Sequence, residues 1–284
     1  MLNKKKSRLL SGKKTLLLLF IAFASNCFSQ KPNDPKHENH YRVIPTINTD
    51  ELSIDFADQH SQMEFTKMKI KITNKTDDFI VFKMGENDFI YEHSTFNPKE
   101  KMVIIDPKES ISKTLSVNGD TRFHVEKFEL KLKGFYRAPL NGDVHNAENF
   151  KLPPESNGFS AGPFKVTHKS KALKKESRIT NAKFKCTYSG QHIGLVNPYK
   201  LKVKLEDGQQ FPNMNDNIKT KLLLPGKSYG FNTVFKISTK IIDMQFANME
   251  INWNDMFVES KLSKLEDISV SFELDPGKTA GKNK

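Results

Sequence analysis

Residues 68–82 read MKIKITNKTDDFIVF, and this stretch decides the fold class of the chain. Apolar side chains alternate with lysines over residues 67–72, and a polar segment at residues 74–78 leads into a second apolar run. Successive side chains of a β-strand point to opposite faces, so this alternation gives one face to a core and the other to water. The stretch therefore predicts two antiparallel strands joined by a short turn.

The same alternation recurs along the rest of the chain, at residues 128–133, 201–205 and 268–274. Turn-forming residues separate the strands, for example at residues 106–109 and 225–226. No long segment has the 3.6-residue period of an amphipathic helix. The pattern predicts an all-β protein of antiparallel sandwiches with little helix.

The first 29 residues predict an export signal. Six basic residues and no acid accompany an apolar run of ten residues at 15–24. That run is too short to cross about 30 Å of hydrocarbon, so we expect the signal to be removed, after Ser29 or alternatively after Ala24. No other apolar stretch approaches 18 residues, so no transmembrane span is expected after cleavage.

Cys27 leaves a second interpretation open, in which its thiol is acylated and the protein is a membrane-attached lipoprotein. The preceding Ala24-Ser25-Asn26 fits this poorly. Lipoprotein signals normally carry a large apolar residue three positions before the cysteine and a small residue immediately before it. The main prediction is therefore a soluble exported protein, periplasmic or extracellular.

Removal of the signal changes the meaning of the net charge. The 284 residues carry 45 Lys and Arg against 33 Asp and Glu, a formal net charge of +12. Without the six basic residues of the signal, 39 basic residues remain against 33 acidic ones, a net charge of +6. Half of the formal net positive charge thus lies in the predicted signal peptide, and a nucleic-acid partner is not expected.

Residues 139–162 interrupt the strand pattern with Asn-Gly and Pro-Pro dipeptides, so they are predicted to be a linker. The segments on either side have about 100 residues each, the size of one immunoglobulin-like sandwich. The predicted division is a signal peptide at 1–29, a flexible lead-in at 30–40, a first domain at 41–138, the linker at 139–162, a second domain at 163–276 and a basic disordered tail at 277–284.

A short internal repeat supports two equivalent domains. An apolar triplet followed by a P-x-x-S turn occurs twice, at residues 103–110 and 222–228. Phe128 and Phe246 each lie 21 residues after the proline of that turn. Each phenylalanine is therefore expected to hold a strand in the core of its domain.

Two segments resemble known extracytoplasmic domains. Residues 68–82 resemble the B–C hairpin of bacterial immunoglobulin-like domains, in which a strand ends in N-x-[ST] and an apolar strand follows. Residues 199–211 (YKLKVKLEDGQQF) resemble a strand–D-x-G–strand segment of another group of such domains, and the FSQ ending of the signal resembles secreted Bacteroidota proteins. The resemblance implies two tandem Ig-like antiparallel β-sandwich domains outside the cytoplasm, and it implies no activity.

The sequence contains no catalytic motif of the H-E-x-x-H, P-loop or G-x-G-x-x-G type, and the G-x-S-x-G spacing occurs once, at residues 158–162 (GFSAG), inside the segment predicted to be a linker. Cys186 shares a strand face with Phe184, so it is expected to be a buried hydrophobic residue rather than a nucleophile. His37 and His40 lack a third ligand at a suitable spacing. We therefore expect a protein that is not an enzyme and that carries no cofactor and no metal.

A run of basic residues lies between positions 165 and 185, with Glu176 as its single acid. One interpretation is an edge strand whose lysines prevent sheet-to-sheet aggregation. The other is a patch for an anionic partner, such as lipopolysaccharide, an acidic glycan or an acidic face of an envelope protein. The run has no aromatic residue before Lys183, so nucleobase stacking is not indicated. The candidate residues are Lys165, Lys169, Lys171, Lys174, Lys175, Arg178, Lys183 and Lys185.

These observations together predict a non-catalytic exported binding or scaffold protein of the bacterial cell envelope. One alternative is a carbohydrate-binding or carbohydrate-active β-sandwich protein, which exposed aromatic residues in one row would favour. A weaker alternative is a periplasmic chaperone-like protein. Pilus chaperones carry a P-x-x-x-R-L segment, and this sequence lacks one.

Overall fold

The computed structural model describes Asp34, residues 36–119 and residues 121–283, and it confirms the predicted all-β class. The described chain forms two antiparallel sandwiches joined face to face. The predicted signal peptide and Cys27 lie outside the described residues. Single 3-10 turns lie at Met84–Glu86, Ser170–Ala172 and Pro198–Lys200.

One layer of the first sandwich is a five-stranded sheet. Its strands are β1 (Asn39–His40), β2 (Ile47–Asn48), β3 (Leu52–Gln62), β4 (Phe65–Asn74) and β9 (Ser110–Asn118). They pair in the order β1–β3–β4–β9, with β2 beside β3. Along β4, buried Met68, Ile70 and Ile72 alternate with exposed residues, as the sequence predicts.

The second layer of the first sandwich is a four-stranded sheet broken across its middle. Its strands are β5 (Phe79–Lys83), β6 (Asp88–Tyr91), β7 (Ser94–Phe96), β8 (Met102–Ile105), β10 (Lys127–Leu132), β11 (Phe135–Ala138), β25 (Ser263–Lys264) and β26 (Ile268–Glu273). One half pairs in the order β26–β10–β6–β7 and the other in the order β25–β11–β5–β8. At each position across the sheet, two strands that follow each other in the chain lie end to end, one in each half, with a short interruption between them.

The Asn87 side chain holds this break in place, and it is fully buried. Its amide group donates to the carbonyls of Lys83 at 3.0 Å and Met84 at 2.7 Å. Its Oδ1 accepts from the backbone N–H groups of Lys133 at 3.0 Å and Gly134 at 3.1 Å. The four bonds satisfy backbone groups that the interrupted ladder would leave unpaired.

The second sandwich repeats this architecture. Its unbroken sheet consists of β14 (Gly158–Ala161), β15 (Phe164–His168), β16 (Lys174–Lys175), β17 (Ile179–Tyr188) and β22 (Ser228–Lys236). Its broken sheet consists of β12 (Asp143–His145), β13 (Phe150–Leu152), β18 (Ile193–Val196), β19 (Lys202–Leu205), β20 (Gln210–Pro212), β21 (Lys221–Leu223), β23 (Met249–Asn252) and β24 (Phe257–Ser260). Its halves pair in the orders β12–β24–β18–β21 and β13–β23–β19–β20.

The second sandwich is built from one continuous segment of chain, and the first is built from two. After β11 the chain leaves the first sandwich, and β12 and β13 begin the second by pairing with β24 and β23. After β24 the chain returns, and β25 and β26 pair with β11 and β10 of the first. The second sandwich is therefore inserted between β11 and β25 of the first, whereas the sequence predicted independent tandem domains.

This insertion corrects two predicted boundaries. Residues 139–162 are not a linker, because they supply β12, β13 and β14. The segment 163–276 is not one domain, because Val270 and Phe272 of β26 lie in the core of the first sandwich. Alternation identifies a strand correctly but does not specify the sheet to which it belongs. The Ig-like character of the sandwiches stays a prediction.

The broken sheets of the two sandwiches pack against each other through a separate apolar cluster. Phe79 and Val81 of β5 face Ile193 and Leu195 of β18 in this cluster. Both strands are buried on both faces, which explains why their sequences are continuous apolar runs rather than alternations. The molecule thus has four layers, with the unbroken sheets on the outside.

The described chain ends meet on the first sandwich. A short helix, α1 (Pro276–Lys282), begins at an Asp275 cap, whose side chain accepts from the Lys278 N–H at 3.0 Å. The Thr279 hydroxyl accepts from the N–H of His40 in β1 at 3.0 Å. The predictions of a flexible lead-in at 30–40 and a disordered tail at 277–284 are therefore wrong for residues 39–40 and 277–282, because long-range hydrogen bonds order these polar segments.

The predicted internal repeat is correct at its turn and wrong at its second phenylalanine. Its two turns connect β8 to β9 and β21 to β22, which are equivalent strands of the two sandwiches. Phe128 is buried in β10, but Phe246 is 77% exposed in the connection before β23. Met249 and Ile251 of β23 lie in the core instead.

Candidate functional site: the lysine face of the second sandwich

The outer face of β15 and β17 carries the centre of the predicted basic run. On β17, buried Phe184 and Cys186 alternate with exposed Lys183 and Lys185. On β15, Lys165 is exposed between buried Phe164 and Val166. The apolar face of each strand packs into the core, so the ammonium groups point to solvent.

Strand register brings the lysines of β15 and β17 together. Lys165 pairs with Thr187 and therefore lies diagonal to Lys185, within reach of a long side chain. The N–H of Lys169 bonds to the carbonyl of Lys183 at 2.8 Å, so these two residues lie side by side.

Two further lysines lie on the same face. Lys174 of β16 pairs with Asn181 of β17, which is on the outer side. Lys236 of β22 pairs with Ile179, and it was not part of the predicted run because it is distant in sequence. We use the name lysine face for the outer surface formed by Lys165, Lys169, Lys174, Lys183, Lys185 and Lys236.

The other predicted residues are not part of this face. Lys175 pairs with Thr180, whose side chain is buried, so Lys175 points inward and donates to the Ala247 carbonyl. Burial lowers the pKa of Lys175. Lys171 and Arg178 are exposed in the turns next to β16. The structure therefore places five of the eight predicted residues on one surface.

The lysine face carries no compensating acid. The strands β14 to β17 and β22 contain no Asp or Glu, and within the described residues none of the six lysines makes an ion pair. On the outer sheet of the first sandwich, by contrast, Lys69 pairs with Asp58 at 2.6 Å. The lysine face therefore keeps an excess of positive charge that is available to an anion from solution.

The edge-strand interpretation is wrong for the central lysines. β17 is paired on one side with β15 and β16 and on the other with β22, and β15 is paired with both β14 and β17. Lys165, Lys183 and Lys185 therefore do not protect an open edge. Protection of an edge remains an explanation for Lys174 and Lys236, because β16 and β22 are each paired only with β17.

Hydroxyl and amide side chains lie between the lysines. Thr167 and Thr187 alternate with the lysines of β15 and β17, and Ser228 and Asn232 are exposed on β22. The hydroxyls of Thr187 and Ser228 are 2.9 Å apart. The surface therefore combines positive charge with groups that donate and accept hydrogen bonds.

Cys186 lies beneath the lysine face and is a free thiol that is fully buried, as the sequence predicts. Burial raises its pKa to about 12. The thiolate is the nucleophilic form of cysteine, so this residue is unreactive in the folded protein. Its role is to fill the core.

His168 lies beneath the same face and makes folding stability dependent on pH. The residue is 7% exposed between the rings of Phe150 and Phe184, its nitrogens have no hydrogen-bond partner, and burial lowers its pKa. Below about pH 6.5 the His168 side chain binds a proton more readily in the unfolded chain than in the folded one. Its full contribution to the free energy of unfolding is therefore present above that pH, and it is lost as pH falls through the lowered folded-state pKa.

We expect His168→Phe to reduce the decrease in the urea midpoint between pH 7 and pH 5, whereas exposed His93→Gln should leave that decrease unchanged. An unaltered pH dependence in His168→Phe would contradict this account.

In the ranges that the structure describes, no group of three or more His, Cys, Asp or Glu side chains is arranged to hold a metal ion. Over the same residues, none of the helices has both the length and the apolar character that crossing a membrane requires.

Comparison with known proteins adds no assignment. No protein-family model matches the sequence, and no curated protein matches it. Solved structures that were compared include the secreted serine protease VesC from Vibrio cholerae, with 13% identity over 84% of this chain and 53% of the protease and a TM-score of 0.16. The coconut allergen cocosin has 7% identity over 85% of this chain and 86% of its own, with a TM-score of 0.18. At these scores the similarity supports no conclusion about fold or activity.

Proposed function

We propose that this chain is an exported, non-catalytic binding protein of the bacterial cell envelope, and that its lysine face contacts an anionic partner. The observation that carries this proposal is the set of six exposed lysines on one acid-free sheet face without ion pairs among the described residues. The proposed export rests on the signal pattern of the first 29 residues.

The shape of the lysine face favours an extended partner. The face is the outer surface of a sheet whose strands lie side by side, and small-molecule sites are instead concave and mostly apolar. Concentrated positive charge raises the local concentration of an anion and its encounter rate, and salt screens this effect over about 8 Å at physiological ionic strength. An acidic glycan or lipopolysaccharide fits this chemistry.

Replacing Lys165, Lys169, Lys183 and Lys185 with glutamine tests the proposal. These side chains are exposed and opposite the core, so the melting temperature of the quadruple variant should change little. Retention on immobilised polygalacturonate or lipopolysaccharide should fall at least tenfold, and wild-type retention should weaken as salt rises.

A matched variant controls for net charge. Lys99, Lys101, Lys219 and Lys261 are exposed outside the lysine face, and their replacement with glutamine removes the same charge. This control should keep most of the wild-type retention. Equal losses in both variants, or full retention of the lysine-face variant, would contradict a specific role for the face.

The carbohydrate-binding alternative has less support. A lectin-like surface would present exposed aromatic side chains in one row. Among the described residues, Tyr199 and Phe246 are the aromatic side chains that are strongly exposed, and they lie in separate connections. No geometric observation favours the chaperone-like alternative.

A further inference from the structure

A groove of about 560 Å³ lies where the two chain ends meet on the first sandwich. Glu38 and His40 form one side of it, together with Asp58 and His60 of β3. The remaining lining includes Lys67, Lys69 and Thr114 of the outer sheet and Lys278 and Lys282 of α1. The groove is therefore built from the outer sheet and from both ends of the described chain.

A β-bulge in β3 directs His60 toward this groove. Asp58 has a φ of 53°, and the pairing of β3 with β4 shifts between Ala57 and His60. Before the bulge the even-numbered residues of β3 are buried, but after it Gln59 and Ser61 are buried. His60 consequently lies on the outer face, where its ring stacks on that of His40 at 5.5 Å. Bulges that reorient a side chain are frequent next to binding sites.

The bulge also places two polar side chains of β3 in the core, which costs free energy unless they are hydrogen-bonded. Gln59 and Ser61 are polar residues in the core, and both are hydrogen-bonded: Gln59 donates to the Arg42 carbonyl at 2.8 Å, and the Ser61 hydroxyl is 2.7 Å from that of Tyr41. A non-glycine residue in the left-handed region is itself strained. The fold thus accommodates two buried polar groups and a strained residue while presenting His60 outward.

The acids of the groove already have partners. Asp58 pairs with Lys69 at 2.6 Å. Glu38 accepts from His40 Nε2 at 3.1 Å and from the Gln62 amide at 3.0 Å.

Three lysines of the groove have no carboxylate partner among the described residues. Lys278 and Lys282 project from α1, and Lys67 lies over the ring of Phe65 at 4.9 Å. The charge that is not neutralised is therefore positive, which selects an anion.

His60 adds a hydrogen-bond acceptor. Its Nδ1 donates to the Asp58 carbonyl at 2.9 Å, so in the neutral ring Nε2 is the unprotonated nitrogen. An unprotonated imidazole nitrogen accepts a hydroxyl proton, and the Thr114 hydroxyl supplies a further polar group. A ligand that suits all these groups carries both an anionic group and hydroxyls.

We propose that this groove binds a sugar that carries one anionic group, either a carboxylate or a phosphate. The ammonium groups of Lys67, Lys278 and Lys282 hold the anionic group, and His60 accepts from a sugar hydroxyl. The site is separate from the lysine face, which belongs to the opposite outer layer.

Titration calorimetry with D-glucuronate and with D-glucose 6-phosphate tests the proposal and distinguishes the two anionic groups. D-Glucose serves as the uncharged probe, and inorganic phosphate as the probe without hydroxylated carbon atoms. We expect one of the two charged sugars to bind wild-type protein at least tenfold more tightly than either probe. The imidazole resonances of His60 should shift during that titration. Failure of both charged sugars to bind would overturn the proposal.

Two variants locate the site. Replacing Lys278 and Lys282 with glutamine should weaken binding of the charged sugar at least tenfold, and His60→Gln should weaken it with a smaller loss for inorganic phosphate. The variant with glutamine at Lys165, Lys169, Lys183 and Lys185 should bind the sugar normally while it loses retention on polyanions. Unchanged affinity in the α1 variant, with its melting temperature retained, would overturn the proposal independently of the proposed function.

Discussion

Replacing Phe272 with alanine is expected to destabilise the protein by about 3–5 kcal/mol, the usual range for a phenylalanine removed from a packed core. Phe272 is fully buried, its ring stacks on Phe128 at 4.8 Å, and it meets Phe56 edge-on at 5.5 Å. Chemical denaturation followed by circular dichroism measures the change. Ser271→Ala, at an exposed position on the same strand, should alter the free energy of unfolding by no more than about 0.5 kcal/mol.

The position of the damage distinguishes the return of β26 to the first sandwich from tandem domains. Hydrogen exchange in Phe272→Ala should accelerate first in β10 and β6, because β26 pairs with β10 and β10 with β6. A domain at 163–276 would instead place the loss of protection in β17 and β22. That second result would contradict the placement of β26 in the first sandwich.

Replacing Asn87 with alanine is expected to destabilise the protein by about 3–5 kcal/mol. The change removes the amide from the carbonyls of Lys83 and Met84 and from two backbone N–H groups, of which the Met84 carbonyl keeps the backbone N–H of residue 87 at 3.3 Å. Each buried group without a hydrogen-bond partner costs about 1–3 kcal/mol, and partial relaxation reduces the sum. Denaturation in urea measures the loss.

The second sandwich provides a matched comparison. Asn197 occupies the equivalent break between β18 and β19, but its side chain accepts from the Thr220 hydroxyl at 2.7 Å and donates to the Asp255 carbonyl at a long 3.5 Å. Asn197→Ala should therefore cost less than Asn87→Ala. A larger loss at Asn197 would show that hydrogen-bond number does not set the stability of these breaks.

Local patterns predicted the strands, but they could not predict their partners. The alternation at residues 128–133 and 268–274 corresponds to β10 and β26, which are adjacent in one sheet. Alternation defines the two faces of a strand, whereas the neighbour of a strand depends on the topology of the whole chain. The polar segment 139–162 is predicted to be a linker for the same reason, because β12 and β13 are stabilised by the distant strands β24 and β23, whereas β14 forms a hairpin with β15.

The candidate surface was predicted where alternation continued without interruption. Lys183 and Lys185 lie opposite Phe184 and Cys186, as the period of two requires. The inward direction of Lys175 depends on the register between β16 and β17, which no local pattern specifies. The groove at the chain ends was missed because the bulge at Asp58 reverses the alternation of β3.

The insertion of the second sandwich into the first also determines the order in which the protein can fold during synthesis. Leu132 pairs with Ile268, so the first sandwich lacks an edge strand until the second sandwich has been made. Until then β10 presents an open edge, which is a site for incorrect pairing between chains. Contacts between residues so distant in sequence also form slowly. A ribosome that stops before β26 would release a chain in which the first sandwich lacks this edge strand, although all of its strands from β1 to β11 are present.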